Sequence, residues 1–462
     1  MLRLLLLLFC VFGMFGAHAS EVVINGKANH SGVLIRLILI EDHISGAQKM
    51  VTSTTTDFRG RFELRASLDK PSYAQLAAGP DRAEILLLPG CSYTIQLDDK
   101  QDFEQLSYYE REPLRYQIVS SDDKGAYDQL LTINLIVNTF ILQHFNDLYK
   151  KRSRALVDTL RAVINQRIPV FAHHYVKDYT RYKIATLELV SQQMSMQAII
   201  ERYIQNQNIL YANVEYMGLF SQVFHSYLNN SRLWSQDDIK EHLSRGLPAC
   251  KSLLRRDQLL ANSENLLELV LLSNLRELYF DRSFNQHDIK EVLSQMSRVS
   301  SIPEHRQIAA GVLRVNGHLS FGSQAPGFKL SGQTGTFYTV SELTNDKVTI
   351  VNFVKKDCQP CNAAFDDLQK LNEEFGDQVR IVTIATSLSF QETRKIFLEN
   401  RFQWLLLDLA DQWTVLEDYN IKSFPEFIIL LPGNRVGMAP APSPKQGLEA
   451  HIRRLIRQAN TN

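Results

Sequence analysis

An excess of charge of either sign is the first thing this sequence lacks. Lys and Arg total 50 and Asp and Glu total 50 over 462 residues, a formal net charge of zero. Without a cationic excess there is no polyelectrolyte surface for nucleic acid, and without an acidic tail there is no field for a basic partner. Cysteine is scarce: only Cys10, Cys91, Cys250, Cys358 and Cys361 occur, which excludes a disulfide scaffold in a chain of this size. Long hydrophobic runs are missing beyond the first residues, because even Leu266–Leu272 is interrupted by Glu268. Glycine nearly vanishes between residues 101 and 317. What remains has the composition of a soluble globular protein whose length predicts about three domains.

The N-terminus reads as a targeting segment. Met1-Leu2-Arg3 is a short positive start, Leu4 to Phe15 an apolar run, and Ala17-His18-Ala19 a small-x-small cleavage site. The run is short for a membrane span and turns polar at Ser20-Glu21. Residues 1–19 are therefore expected to be a signal peptide cut after Ala19, with an uncleaved anchor as the competing reading. A lipoprotein is excluded because Cys10 lies inside the apolar run, after Leu8-Phe9 rather than small residues.

Beyond the signal, three compositional stretches follow. From residue 20 to about 100 the period is two, with Val22-Val23-Ile24, Val33–Ile40, Arg61–Leu64 and Ile85–Leu88 separated by turn signals such as Asn25-Gly26, Ser31-Gly32 and Pro89-Gly90. This predicts a small antiparallel β-sandwich. Residues 101–316 change to a helical period. Leu130, Leu131, Ile133, Leu135, Ile136 and Phe140 form one broad apolar face and Leu266 to Leu278 another, while Ser235-Gln236-Asp237-Asp238 has the form of a capping box. Asp238–Ser244 is echoed by Asp288–Ser294, which two similar amphipathic helix starts explain more simply than a repeat array. Val315–Phe328 is the expected linker into a last domain, residues 317–462, where strands at Val348–Val354, Val379–Ala385, Trp404–Leu407 and Glu426–Leu431 alternate with helices. That alternation predicts a central sheet covered on both faces. The fold class is α+β: a β-sandwich, an all-helical middle and an α/β C-terminal domain.

The chemistry concentrates where the strand Val348–Val354 runs into Lys355-Lys356-Asp357-Cys358-Gln359-Pro360-Cys361. A cysteine at the first turn of a helix faces unsatisfied N–H groups and the positive end of the dipole, which stabilises its thiolate. A second cysteine three residues on lies one turn deeper, close enough to form a disulfide. Cys358 is thus the candidate attacking thiol and Cys361 the resolving one, with Pro360 suited to a first turn that has no use for its N–H. A structural zinc site would need a second ligand pair, and no other CxxC or close Cys/His set exists; His173-His174 is an isolated pair. A structural short-range disulfide remains the alternative, but the strand–CxxC–helix context is the one redox chemistry requires.

With these residues in view, the chain from Gly322 onward resembles the thioredoxin fold and, within it, the TlpA/ResA-like thiol–disulfide oxidoreductases. Gly322–Leu330 is similar to that family's opening strand and Tyr338–Leu343 to its next segment, followed by the active-site strand with Asn352. Ile421-Lys422-Ser423-Phe424-Pro425-Glu426-Phe427 is similar to the loop whose cis-proline faces the dithiol. The resemblance implies that Pro425 is cis and that the backbone around Phe424 pairs with a bound substrate segment. The succession of β-domain, helices and thioredoxin-like module resembles Bacteroidetes envelope proteins.

The departures concern tuning. Family members usually carry aromatic residues where this chain has Val354 and Asp357, and thioredoxin carries a buried Asp where this chain has Asn352. Lys355 and Lys356 favour the Cys358 thiolate and Asp357 opposes it; Gln359 and Pro360 complete the tuning set. The resemblance implies a periplasmic reductase acting on protein thiols and disulfides without a cofactor or metal, kept reduced by a membrane electron donor, with cytochrome c maturation or general redox homeostasis as candidate processes. An envelope scaffold with an idle thioredoxin-like part is the rival from another class. A peroxidase is disfavoured because its reactive cysteine lies in a Pro/Thr-rich loop rather than in a CxxC. Cys91 and Cys250 are more simply read as buried small hydrophobes than as a bridge, and His43, His225 and His305 have no partner nearby in sequence.

Overall fold

The computed structural model describes residues 20–79, 81–98, 114–281, 283–410 and 412–459, so the expected signal peptide lies outside the described residues. Eight strands follow: β1 (Ser20–Lys27), β2 (Leu34–Ile40), β3 (Gln48–Thr55), β4 (Arg61–Leu68), β5 (Ser72–Ala78), β6 (Asp81–Leu87), β7 (Ser92–Asp98) and β8 (Arg115–Ser121). They build two four-stranded sheets, ordered β4-β1-β7-β8 and β3-β2-β5-β6. β4 shows the strand period directly, with Phe62, Leu64, Ala66 and Leu68 buried and the residues between them exposed. Val22, Ile24 and Tyr93 from the first sheet share one core with Ile35, Leu37 and Leu76 from the second.

Two expectations are corrected here. β1 runs parallel to β7, so the first sheet is mixed rather than antiparallel; the strands between them supply the long crossover that parallel pairing needs. β8 falls in the stretch read as helical. It is an edge strand with mostly exposed side chains, so no hydrophobic alternation marked it.

Helices then take over, beginning with α1 (Ala126–Tyr149), α2 (Arg154–Arg167) and α3 (His174–Val190). The helix Glu264–Leu278 is buried along most of its length, with Leu267, Leu269, Val270, Leu272 and Leu275 at 0% exposure, and its buried polar residues Glu268 and Asn274 are hydrogen-bonded. Ser235 and Asp238 form the expected capping box. The echoed segments both lie on helices, and Ile239, Leu243, Ile289 and Leu293 enter the same core. The broad apolar face on α1 does not hold. Leu130, Ile133 and Phe140 are buried, whereas Leu131 and Leu135 are 50% and 69% exposed, because steps of about 100° per residue carry them away from the buried stripe.

The helix Pro303–Gly317 extends into the expected linker. The chain after it is laid on the last domain: Gly322 N–H donates to the Val436 carbonyl at 2.7 Å and Ala325 N–H to that of Asn434 at 2.9 Å. Seven strands make the C-terminal sheet: β9 (Lys329–Gly332), β10 (Phe337–Thr339), β11 (Val348–Val354), β12 (Val379–Ala385), β13 (Leu405–Asp408), β14 (Glu426–Leu431) and β15 (Arg435–Ala441). Their order is β10-β9-β13-β12-β11-β14-β15. β11 lies inside the sheet, parallel to β12 and antiparallel to β14, and all seven of its residues are buried. Separate apolar clusters cover the two faces. β15 carries no strand period in the sequence because Gly437 and Pro440 interrupt it.

A part-buried ion pair joins the first and last domains. Arg36 on β2, 3% exposed, donates through both terminal nitrogens to the Glu417 carboxylate at 3.0 Å each, and Arg82 on β6 adds a contact at 2.7 Å. Burial would raise the Glu417 carboxyl, but Arg36 and Arg82 outweigh it and hold it below the usual range. Glu417→Ala leaves the buried Arg36 guanidinium with the Gly79 carbonyl, at 2.8 Å, in place of a counter-charge, and should cost up to about 3 kcal/mol. Differential scanning calorimetry should then show the C-terminal domain melting separately; one unshifted transition would mean that the pair carries no docking energy.

Candidate redox dithiol site

The site grows out of the end of β11. Asp357 adopts φ +53°, a left-handed turn that Asp tolerates better than most residues. It turns the chain into the helix Gln359–Phe375, with Cys358 at the N-cap. There the Cys358 Sγ accepts the Cys361 N–H at 3.2 Å, while the Cys358 carbonyl accepts from Cys361 at 3.0 Å and Asn362 at 3.1 Å. The first turn contains Pro360 and no acidic residue, so the positive helix end acts on the sulfur unopposed from within the helix. Cys358 and Cys361 are joined as a disulfide with Cα atoms 5.2 Å apart. Cys358 is 6% exposed and Cys361 1%, so both are buried in this disulfide form.

Tertiary packing brings the second element of the site to the first. The Phe424-Pro425 peptide bond is cis, and Phe424 packs against the cluster that contains both cysteines. Ser423 ties this loop to Glu426 at 2.8 Å. Behind the dithiol, Phe365 of its helix meets Phe397 edge to face at 5.3 Å, and Trp404 donates to Thr383 Oγ1 at 3.0 Å. Asn352, in the middle of β11, is 0% exposed and pairs by backbone register with Thr383 and Phe427. Neither polar atom of its side chain has a hydrogen-bond partner among the described residues. A second cis bond, Ala439-Pro440 in β15, has no signal in the sequence.

Cys91 and Cys250 are free. Cys250 is buried in the helical core with its thiol pushed up to about 12 by desolvation, and burial likewise raises Cys91. Neither is poised to attack at neutral pH.

Asp357 and Gln359 are exposed on either side of Cys358. Asp357→Asn removes a negative charge beside the sulfur, so the thiolate pKa of the reduced protein should fall, read as alkylation rate against pH. A higher value after the substitution would mean that Asp357 supports the thiolate.

Comparison with known proteins decides the nature of this domain. Residues 345–436 match a family model described as thioredoxin-like. The C-terminal domain is thioredoxin-like. The matched span contains both cysteines and the Phe424-Pro425 loop. The thioredoxin-like domain is similar to Thioredoxin-like protein YneN of Bacillus subtilis (strain 168), 28% identical over 110 residues, which is 24% of this chain. The chain spans 64% of that relative's length. Among solved structures, the thioredoxin domain of a thiol-disulfide oxidoreductase from Bacteroides vulgatus is 22% identical, with 30% of this chain and 99% of that one covered at a TM-score of 0.27. A thiol:disulfide interchange protein from Bacteroides sp. is 22% identical over 30% of this chain and 91% of its own, at a TM-score of 0.28.

Proposed function

We propose that the protein is a thiol–disulfide oxidoreductase of the cell envelope that acts on protein substrates through Cys358 and Cys361. One observation carries this reading: Cys358 caps the helix with its sulfur, so a backbone N–H waits for the charge that forms when the disulfide is reduced. In the reduced protein the Cys358 thiolate attacks one sulfur of a substrate disulfide and expels the other as a thiolate. Cys361 then loses its proton and attacks the Cys358 sulfur, releasing the second substrate thiolate and closing the Cys358–Cys361 disulfide. Two electrons pass to the substrate. The backbone at Phe424 and Pro425 pairs with the substrate segment, while Asn352, Asp357, Gln359 and Pro360 set the poise. The working direction is reduction, with electrons returned by a membrane donor and cytochrome c maturation as one process served. Among the described residues no helix is long and apolar enough to cross a membrane, so in this reading the donor is a separate protein. Residues 1–19 serve as the export signal, and the two N-terminal sheets stack as a sandwich.

The reduction potential of the pair tests the direction. A value near about −270 mV supports a reductase, and one near about −120 mV would make the protein an oxidant. Modularity is tested by a fragment from Gly317 to Asn462, which is long enough to bury its own core. It should fold and reduce insulin disulfides at the rate of the full chain. An unfolded fragment would place the boundary elsewhere.

A further inference from the structure

The helical middle holds a concave site that the dithiol chemistry leaves unused. A cavity of about 410 Å³ opens between α2, α3 and the turn Ile200–Ile204. Arg161, Lys177, Arg181 and Arg202 line it, and no carboxylate among the described residues does. In a chain with no net charge, such a collection of one sign needs a physical reason.

Two of these cations are gathered by one aromatic ring. The Arg181 guanidinium lies 5.6 Å and that of Arg202 5.3 Å from the Tyr203 ring centroid, within the range of cation–π attraction. Tyr203 is itself held from below. Glu188, 4% exposed, accepts the Tyr203 hydroxyl at 2.8 Å and Arg161 Nη2 at 2.6 Å. This buried carboxylate fixes the floor and, with the exposed Asp158 at 3.2 Å from Arg161 Nη1, compensates Arg161. Among the described residues Lys177, Arg181 and Arg202 make no ion pair, so their charge is left for something else. The turn that presents Arg202 and Tyr203 is π-helical. Such π turns recur at functional sites. Ile164, Phe171 and Ile184 supply an apolar wall.

We infer that this pocket binds a small ligand bearing at least two negative charges on phosphate or carboxylate groups, together with an apolar or aromatic part. Guanidinium forks match both oxyanions with paired N–H donors. The apolar wall takes the remainder, and the pocket lies within the size range of small-molecule sites.

Isothermal titration of the full chain at low ionic strength tests the inference, with inorganic pyrophosphate and benzene-1,3,5-tricarboxylate as probes. At least one should bind at a single site, more weakly as salt is added; pyrophosphate alone would assign a phosphate ligand, and the tricarboxylate alone a carboxylate. The exposed pair Arg181→Ala/Arg202→Ala should weaken binding tenfold or more with an unchanged melting temperature. Lys177→Glu should weaken it similarly and decides the matter if the double variant misfolds. Absence of saturable binding by both probes overturns the inference, as does wild-type affinity in the folded variants.

Discussion

Cys361→Ser should accumulate covalent complexes with its substrates in the native envelope, complexes that dithiothreitol releases. The thiolate at Cys358 remains able to attack, because its helix N–H contact comes from the backbone and survives the substitution. A serine hydroxyl cannot displace the substrate from the mixed disulfide, so exchange stalls after its first half. Cys358→Ser should lower insulin reduction to the uncatalysed rate and capture nothing, since Cys361 is 1% exposed. The double variant Cys358→Ser/Cys361→Ser should also capture nothing, because Cys250 is buried with a thiol pushed up to about 12 and too little of it is thiolate. Capture by Cys358→Ser and not by Cys361→Ser would invert the roles. No capture by either, with no reductase activity in the wild type, would leave the pair a structural disulfide.

Glu268→Gln should destabilise the protein by about 3 kcal/mol at neutral pH, with the deficit fading in acid. Glu268 is 1% exposed inside the helical core. Its carboxylate takes Ser300 Oγ at 2.5 Å, His305 Nδ1 at 2.8 Å and the Lys251 ammonium, and His305 Nε2 continues to the Tyr211 hydroxyl at 2.8 Å. Burial alone would raise the carboxyl; the hydrogen bonds from His305, Lys251 and Ser300 outweigh it and bring it to about 2, from an ordinary 4.5. Because the folded value is the lower one, the contribution is complete above about pH 4.5 and is lost as pH falls toward 2. Urea unfolding of both proteins at pH 7, 5, 4 and 3 should show their stability curves converging. A gap that stays constant across that series would refute an ionised Glu268 as its source.

Which of these features the sequence shows depends on their range along the chain. The CxxC, the all-apolar run Val348–Val354 and the Ser235 capping box involve residues within a turn or a strand of one another, so their spacing carries the message. The Phe424-Pro425 loop was found differently. No local rule puts it beside Cys358, and only the resemblance of Ile421–Phe427 to a known loop did so; the packing of Phe424 on the dithiol cluster supplies the contact. His305 shows no partner in the sequence because Glu268 and Tyr211 lie 37 and 94 residues away and reach it only when the helices pack. The buried face of α1 is hidden from the sequence for a related reason. Apolar spacing shows that a helix has a stripe, but which residues fall within it depends on where the neighbouring helices lie.

By itself, the sequence determined the succession of β, helical and α/β segments, the strand that feeds the dithiol and the helix that Cys358 caps. Those follow from hydrophobic period and from chemistry within a few residues, which any fold of this chain has to respect. Only the tertiary structure decided that β1 lies parallel to β7, that β8 closes the first sheet as an exposed edge, and that Arg36 and Arg82 find Glu417 more than three hundred residues away. It also decided that Glu188 holds Arg161 and Tyr203 beneath a basic pocket. Each of these depends on which surfaces meet, and the burial that makes a charge pair strong exists only after they have met.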